Sequence, residues 1–113
     1  MRWTRRHFAE GKVGSLTFRI HDTYFELARM RYDHSSLRWS MPIGRAKHGP
    51  FLEEIVVCGV TGVLVRDTEH IGIYDIHSMI LDVDGQVLWL RCNVPLELGL
   101  YVEADFSVAL LPG

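Results

Sequence analysis

Apolar and polar residues alternate with a period of two in several stretches of the chain, the pattern of a strand with one buried and one solvated face. Over residues 14–20, Leu16, Phe18 and Ile20 alternate with Ser15, Thr17 and Arg19. Over residues 100–111, Tyr101, Glu103, Asp105, Ser107 and Ala109 oppose Val102, Ala104, Phe106, Val108 and Leu110. Both segments are expected as strands. Asp84-Gly85 lies between two apolar runs, Met79-Ile80-Leu81 and Val87-Leu88-Trp89-Leu90, and predicts a hairpin in which Gly85 takes positive φ without a Cβ clash.

The stretch 53–66 is apolar and β-branched, and Gly59 and Gly62 interrupt it as glycine does where a strand bulges or passes close to a neighbour. Residues 71–77 read as a short strand or an irregular connection, and Pro95, Glu97 and Gly99 mark a further loop. The segment 23–32 is open to two readings. Thr23-Tyr-Phe-Glu26 matches a capping box and the residues after it favour helix, whereas Asp33-His-Ser-Ser36 is a turn cluster leading into the alternating Leu37-Arg-Trp-Ser-Met41. A hairpin is favoured, with one short helix near 23–32 as the alternative. Pro42, Gly44, Gly49 and Pro50 bracket Arg45-Ala-Lys-His48 and predict a mobile loop over 42–50. Residues 30–39 and 80–89 resemble one another, each a strand, an acidic turn and a returning strand carrying a tryptophan, which supports the first hairpin. The expected architecture is all-β, an antiparallel meander of about seven or eight strands forming a sandwich or a partly open barrel.

At 113 residues the chain is expected to be a single β domain over 1–113, large enough for one core and one site. A hydrophobic content of 48% with 23% charged residues argues against disorder, and no segment approaches the roughly 20 apolar residues of a membrane span. The formal net charge of -2 argues against a nucleic-acid partner, since phosphate neutralisation needs a basic stripe. The one basic cluster, Arg2, Arg5, Arg6 and Lys12, reads as a solvated N-terminal arm over residues 1–12. The opening residues lack the apolar core of a secretory signal, so a cytoplasmic location without membrane attachment is expected. Cys58 and Cys92 lie within apolar runs and read as buried thiols rather than a disulfide framework or zinc knuckle.

Chemistry-bearing patterns are sparse. None of the six histidines pairs with another at metal-ligand spacing, and Asp82-Val-Asp84-Gly85 lacks the acidic residues that would complete a calcium loop. No nucleophile elbow, phosphate-cradling loop or dinucleotide fingerprint occurs. Glu53 and Glu54, as strand neighbours, point to opposite faces and suit an edge that resists aggregation better than an acid–base pair. No catalytic residue, metal or cofactor is therefore expected. The best candidate binding group is His21 and Asp22 with Tyr74, Asp75 and His77, where an aspartate could orient an imidazole if the two segments converge.

Excess apolarity asks for a partner. Residues 87–90 are apolar at every position, so both faces of that strand need cover, and either a second layer or a second subunit must supply it. Aromatic side chains are typical interface anchors, and Trp39, Trp89 and Tyr101 are the candidate partner-interface residues. A protein partner is expected, with a homodimer as one form.

The order Ile20-His-Asp-Thr23, Arg31-Tyr-Asp33, Leu37-Arg-Trp39, Val60-Thr-Gly-Val63 and Gly72-Ile-Tyr-Asp75 resembles a group of small uncharacterised bacterial all-β domains built of successive hairpins. Some of these sit beside toxins and are regarded as candidate immunity proteins. The resemblance implies a stoichiometric inhibitor rather than an enzyme, and it transfers no site residue. The leading expectation is thus a non-enzymatic cytosolic protein-binding domain, with immunity-type inhibition its most concrete form. The alternative is a small-molecule-binding or hydrolytic β barrel using His21/Asp22 and Asp75/His77.

Overall fold

The longest β-branched run and the longest alternating run become the two longest strands, β5 (Glu53–Arg66) and β8 (Glu97–Leu111), which pair antiparallel along nearly their full length. They are the spine of a computed structural model that describes residues 2–9, 23–92 and 94–112. On one side of the spine lies the meander β3 (Arg31–Asp33), β4 (Arg38–Ile43) and β5. On the other lies the meander β6 (Ile73–Leu81), β7 (Val87–Cys92) and β8. With β2 (Thr23–Glu26) on β6, the sheet runs β2-β6-β7-β8-β5-β4-β3, and β1 (Arg2–Thr4) is added on β8. The expected all-β antiparallel architecture is present as a curled, partly open barrel. The alternating strand expected over 14–20 lies outside the described residues.

Glycine shapes the curl. The β5–β8 register shifts between Cys58 and Val60 and again before Gly62, so the interruptions at Gly59 and Gly62 are bulges. Gly59 has φ of +87°, and a Cβ there would come within 3.1 Å of the Phe106 Cα, so both the conformation and the close approach require glycine. Opposite it, β8 passes from Val102 to Ser107 while β5 advances only from Val60 to Cys58, which places Glu103, Ala104 and Asp105 on an exposed outward bulge. Ala104 thereby leaves the buried face that strict alternation assigns to it.

That bulge explains a correction at the N-terminus. β7 pairs with β8 only up to Tyr101, and β1 takes the same edge beyond the bulge, with Trp3 opposite Val108. A short helix α1 (Arg5–Ala9) follows. The described part of the expected arm is anchored rather than wholly solvated: Arg2, Thr4, Arg6 and His7 are exposed, but Trp3 and Phe8 are buried, Phe8 packs at 5.9 Å from Phe106, and Arg5 lies over the same ring at 5.3 Å. Arg5 also donates to the carbonyls of Glu103 and Ala104, both at 3.0 Å, satisfying backbone groups that the bulge removes from the ladder. Arg5, and Arg2 through its 2.6 Å hydrogen bond to the Ser107 hydroxyl, tie this segment to β8 around two apolar anchors.

Residues 23–33 form one broken strand. Tyr24 exchanges backbone hydrogen bonds of 2.8 and 2.9 Å with Gly44, just past β4, while β2 pairs with β6 on its other side. A 3-10 turn at Leu27–Arg29 then carries the chain along β4 into β3, where Arg31 pairs with Ser40. The favoured hairpin is thus present, and the helical tendency survives as that single turn. By bridging β6 and Gly44, β2 draws the two meanders together at one end of the barrel. Asp33 accepts hydrogen bonds from the hydroxyls of Ser35 and Ser36 at 2.7 and 2.9 Å and from the Ser35 amide, which hold its carboxyl below the usual range and fix the turn.

The Asp84-Gly85 hairpin is present but wider than a two-residue turn. Gly85 donates to the Asp82 carbonyl at 2.9 Å, and among residues 82–86 only Gly85 has positive φ, at +69°. The Asp82 carboxylate accepts from the amides of Gln86 and Val87 at 2.8 and 3.1 Å, so Asp82 supports the turn as well. The connection after β4 begins beyond Ile43, with Gly44 held in the bridge to Tyr24, and it is pinned by Arg45, which pairs with Glu53 at 3.1 Å. β8 begins earlier than the alternation predicts, and Glu97 and Gly99 are strand residues.

Candidate functional site

Of the predicted binding group, Tyr74, Asp75 and His77 are described, and they do not share one face. Successive strand residues point to opposite faces, and β6 sends Tyr74 into the core while Asp75 lies on the other face, half-buried with its Oδ1 out of solvent, beside its cross-strand partner Tyr24. The Tyr74 ring packs at 5.6 Å from Phe25, and its hydroxyl donates to Asp67. Burial, reinforced by that carboxylate, pushes the phenol above its ordinary value. His77 is the extra residue of a bulge between Ile76 and Ser78, and its side chain is exposed. Tyr74 is therefore a core residue, and Asp75 and His77 share no inward-facing site with it. His21 and Asp22 lie outside the described residues. Among the described residues no group of three His, Cys, Asp or Glu side chains could hold a metal ion.

Asp75 acts on Cys92, which pairs with the next residue of β6, Ile76. Burial and then the neighbouring carboxylate push the Cys92 thiol up to about 12, so it stays protonated and unreactive at neutral pH. Both cysteines are free and half-buried.

The interface residues divide between the two faces of the sheet. Trp39 is fully buried, which corrects its assignment to a partner surface. Leu37, Trp39 and Met41 alternate with Arg38 and Ser40, and this pattern already places Trp39 on the apolar face of β4. Its buried Nε1 has no hydrogen-bond partner among the described residues. Trp89 and Tyr101 are on the outer face, Trp89 half-buried and Tyr101 45% exposed.

Around Trp89 the register builds one transverse row across four strands. Ile80 of β6 pairs with Trp89 of β7, Trp89 with Gly99 of β8, and Gly99 with Leu64 of β5. Ile80 and Leu64 are 36% and 40% exposed. In the adjacent row Val87 pairs with Tyr101, and Tyr101 with Gly62. Both glycines lie under aromatic rings: a Cβ on Gly99 would meet Trp89 at 2.9 Å, and one on Gly62 would meet the Tyr101 ring at 3.5 Å. The rings lie low over the sheet and leave a continuous apolar surface, bordered by Arg66, Arg91 and Glu97 where β5, β7 and β8 meet. Leu64 and Ile80 were not expected there. Ile80 and Trp89 are equidistant from the Asp84-Gly85 turn, so their pairing could be read from the hairpin, whereas Leu64 joins them only through the sheet order.

Among the described residues no helix is long and apolar enough to cross a membrane. No family model, curated protein or solved structure matches the chain, and its function has to be read from its own geometry.

Proposed function

We propose that the chain is a non-enzymatic, cytosolic protein-binding domain whose contact surface is the outer face of β5–β8, with immunity-type inhibition of a toxin as its most concrete form. One observation carries this reading: Ile80, Trp89, Tyr101 and Leu64 lie adjacent on one side of the sheet, with three of the four more than a third exposed or at that limit. Contiguous apolar surface with a charged border is characteristic of interaction sites, and aromatic side chains backed by a rigid sheet are efficient anchors. The inner face of the same strands already has its cover, since Leu88, Leu90, Leu98 and Leu100 are buried in the core. The apolar demand of residues 87–90 is met on one side by the barrel and on the other only in part. The alternative of a hydrolytic or small-molecule β barrel using His21/Asp22 and Asp75/His77 draws no support from Asp75 and His77, one half-buried and the other exposed on a bulge, and its other two residues lie outside the described ones.

Self-association is the directly accessible form of the reading. A homodimer packed through this face should bury on the order of 1,200–2,000 Å² in total. Light scattering at micromolar concentration should give about twice the 13.0 kDa of one chain, and Leu64→Asp should return it to the single-chain mass with an unchanged circular dichroism spectrum. A wild-type species of 13.0 kDa overturns the homodimer. For the immunity form, the chain should suppress a toxin encoded beside its own gene on co-expression, and Leu64→Asp should not. Equal protection by both proteins counts against this face.

A further inference from the structure

Where β5 and β7 end and β8 begins lies an open cavity of about 590 Å³, within the size range of small-molecule sites. Its exposed lining includes Arg66 at the end of β5, Thr68 in the following connection, Arg91 near the end of β7 and Glu97 at the start of β8. Its less exposed lining includes Cys92, Val94 and Leu96. The lining thus combines charged and apolar side chains.

The charges leave a surplus of one cation. Arg66 approaches Glu97 at 4.0 Å, the outer limit of an ion pair, with both side chains largely exposed, so the guanidinium donors remain available. Arg91 has no carboxylate partner among the described residues. Its guanidinium lies 5.8 Å from the centre of the Trp89 ring, which orients the group without using its hydrogen-bond donors. Among the described lining residues two arginines stand against one glutamate, a net charge of +1, and with the Asp75 carboxylate acting on the cavity through Cys92 the rim suits a monoanion held at the arginines and disfavours a dianion beside Glu97. Cys92 adds no negative charge, because its thiol is pushed up to about 12. Thr68 contributes a hydroxyl donor, and the half-buried Val94, with the exposed edge of the largely buried Leu96, offers apolar area to a hydrocarbon chain.

We propose that this cavity binds a small amphipathic monocarboxylate, with its head group at Arg91, Arg66 and Thr68 and its hydrocarbon on Val94 and Leu96. The ligand is held rather than transformed, since the site presents no activated nucleophile and its cysteine is protonated. The site stands apart from the protein-binding reading, although Arg91 borders both surfaces.

Sodium octanoate is the probe, followed by nuclear magnetic resonance on the full chain with inorganic phosphate titrated in parallel. Saturable shifts at the Arg66 and Arg91 Nε–H groups and the Leu96 methyls are expected with octanoate, and weaker ones with phosphate. Arg91→Gln, at an exposed position, should retain the wild-type spectrum elsewhere and weaken octanoate binding by about tenfold, as expected for loss of a charge-assisted hydrogen bond. Three results overturn the proposal: no saturation with octanoate, undiminished binding by Arg91→Gln, or phosphate binding as tight as octanoate.

Discussion

The indole of Trp89 occupies the space above Gly99, where a Cβ would stand 2.9 Å from Cζ3 and 3.1 Å from Cε3 of the ring. Gly99 is a strand residue with Leu64 and Trp89 as its two neighbours across the ladders, so the ring bridges a position that would otherwise be a dent in the outer face. The glycine sets how low the indole can lie. Gly99→Ala should lift the ring, destabilise the fold by about 1–3 kcal/mol through overpacking, and shift tryptophan emission to longer wavelength. Unchanged denaturant midpoint and emission would mean that the ring is not seated on Gly99.

Gly59 carries a stricter constraint, because the atom nearest to an added Cβ is the Phe106 Cα at 3.1 Å, part of the backbone, and φ is +87°. Gly59→Ala therefore combines left-handed strain with a contact that side-chain rotation cannot relieve, and should cost about 2 kcal/mol or more. Equilibrium unfolding in urea reads this as a lower midpoint at constant slope.

At Gly85 the φ of +69° and the nearby Arg5 guanidinium act together, since a Cβ would run into that side chain. Gly85→Val should destabilise by roughly 1 kcal/mol or more, because a β-branched residue is strained at positive φ. Arg5→Ala should lower stability by about 1 kcal/mol through lost hydrogen bonds to the bulge carbonyls. The two effects should be non-additive in the double variant, as neighbours that share one clash require. Simple additivity would separate Arg5 from the turn.

Alkaline pH should destabilise the fold through Cys92. Its thiol titrates near 9.0 when unfolded and is pushed up to about 12 when folded, so the folded state retains a proton that the unfolded chain has lost. Stability is fully present below the unfolded value and falls as pH rises from there towards the folded value. Tyr74, also raised, adds a loss of the same sign above about pH 10. Cys92→Ala should flatten the decline measured between pH 9.0 and about 12. A slope identical to that of the wild type would mean that Cys92 does not carry it.

Trp39 is fully buried, and truncating it to alanine should cost about 3–5 kcal/mol, far more than a substitution at an exposed anchor. A change within about 0.5 kcal/mol, typical of surface sites, would return Trp39 to the outside of the protein.

Periodicity and turn chemistry carried the all-β class, the strand ending the chain, the bulges at Gly59 and Gly62 and the two hairpins at residues 33–38 and 82–87, because each depends on the local backbone alone. The two hairpins look alike along the chain, yet Trp39 points into the barrel and Trp89 out of it. Alternation assigns Trp39 to the apolar face of β4, whereas residues 87–90 are apolar on both faces and give no local means of choosing. That choice falls to the order of strands, which puts Leu88 and Leu90 against the core and Trp89 against Gly99. Tertiary pairing likewise turned Arg5 into a clamp, since the bulge in β8 frees an edge for β1 and carbonyls for Arg5. Tyr74, Asp75 and His77 are close in sequence, but one faces the core and the others do not, since strand geometry separates adjacent side chains and a bulge interrupts the regular spacing. The apolar row and the arginine-rimmed cavity draw on residues from non-consecutive strands, so they exist only once β5 has paired with β8.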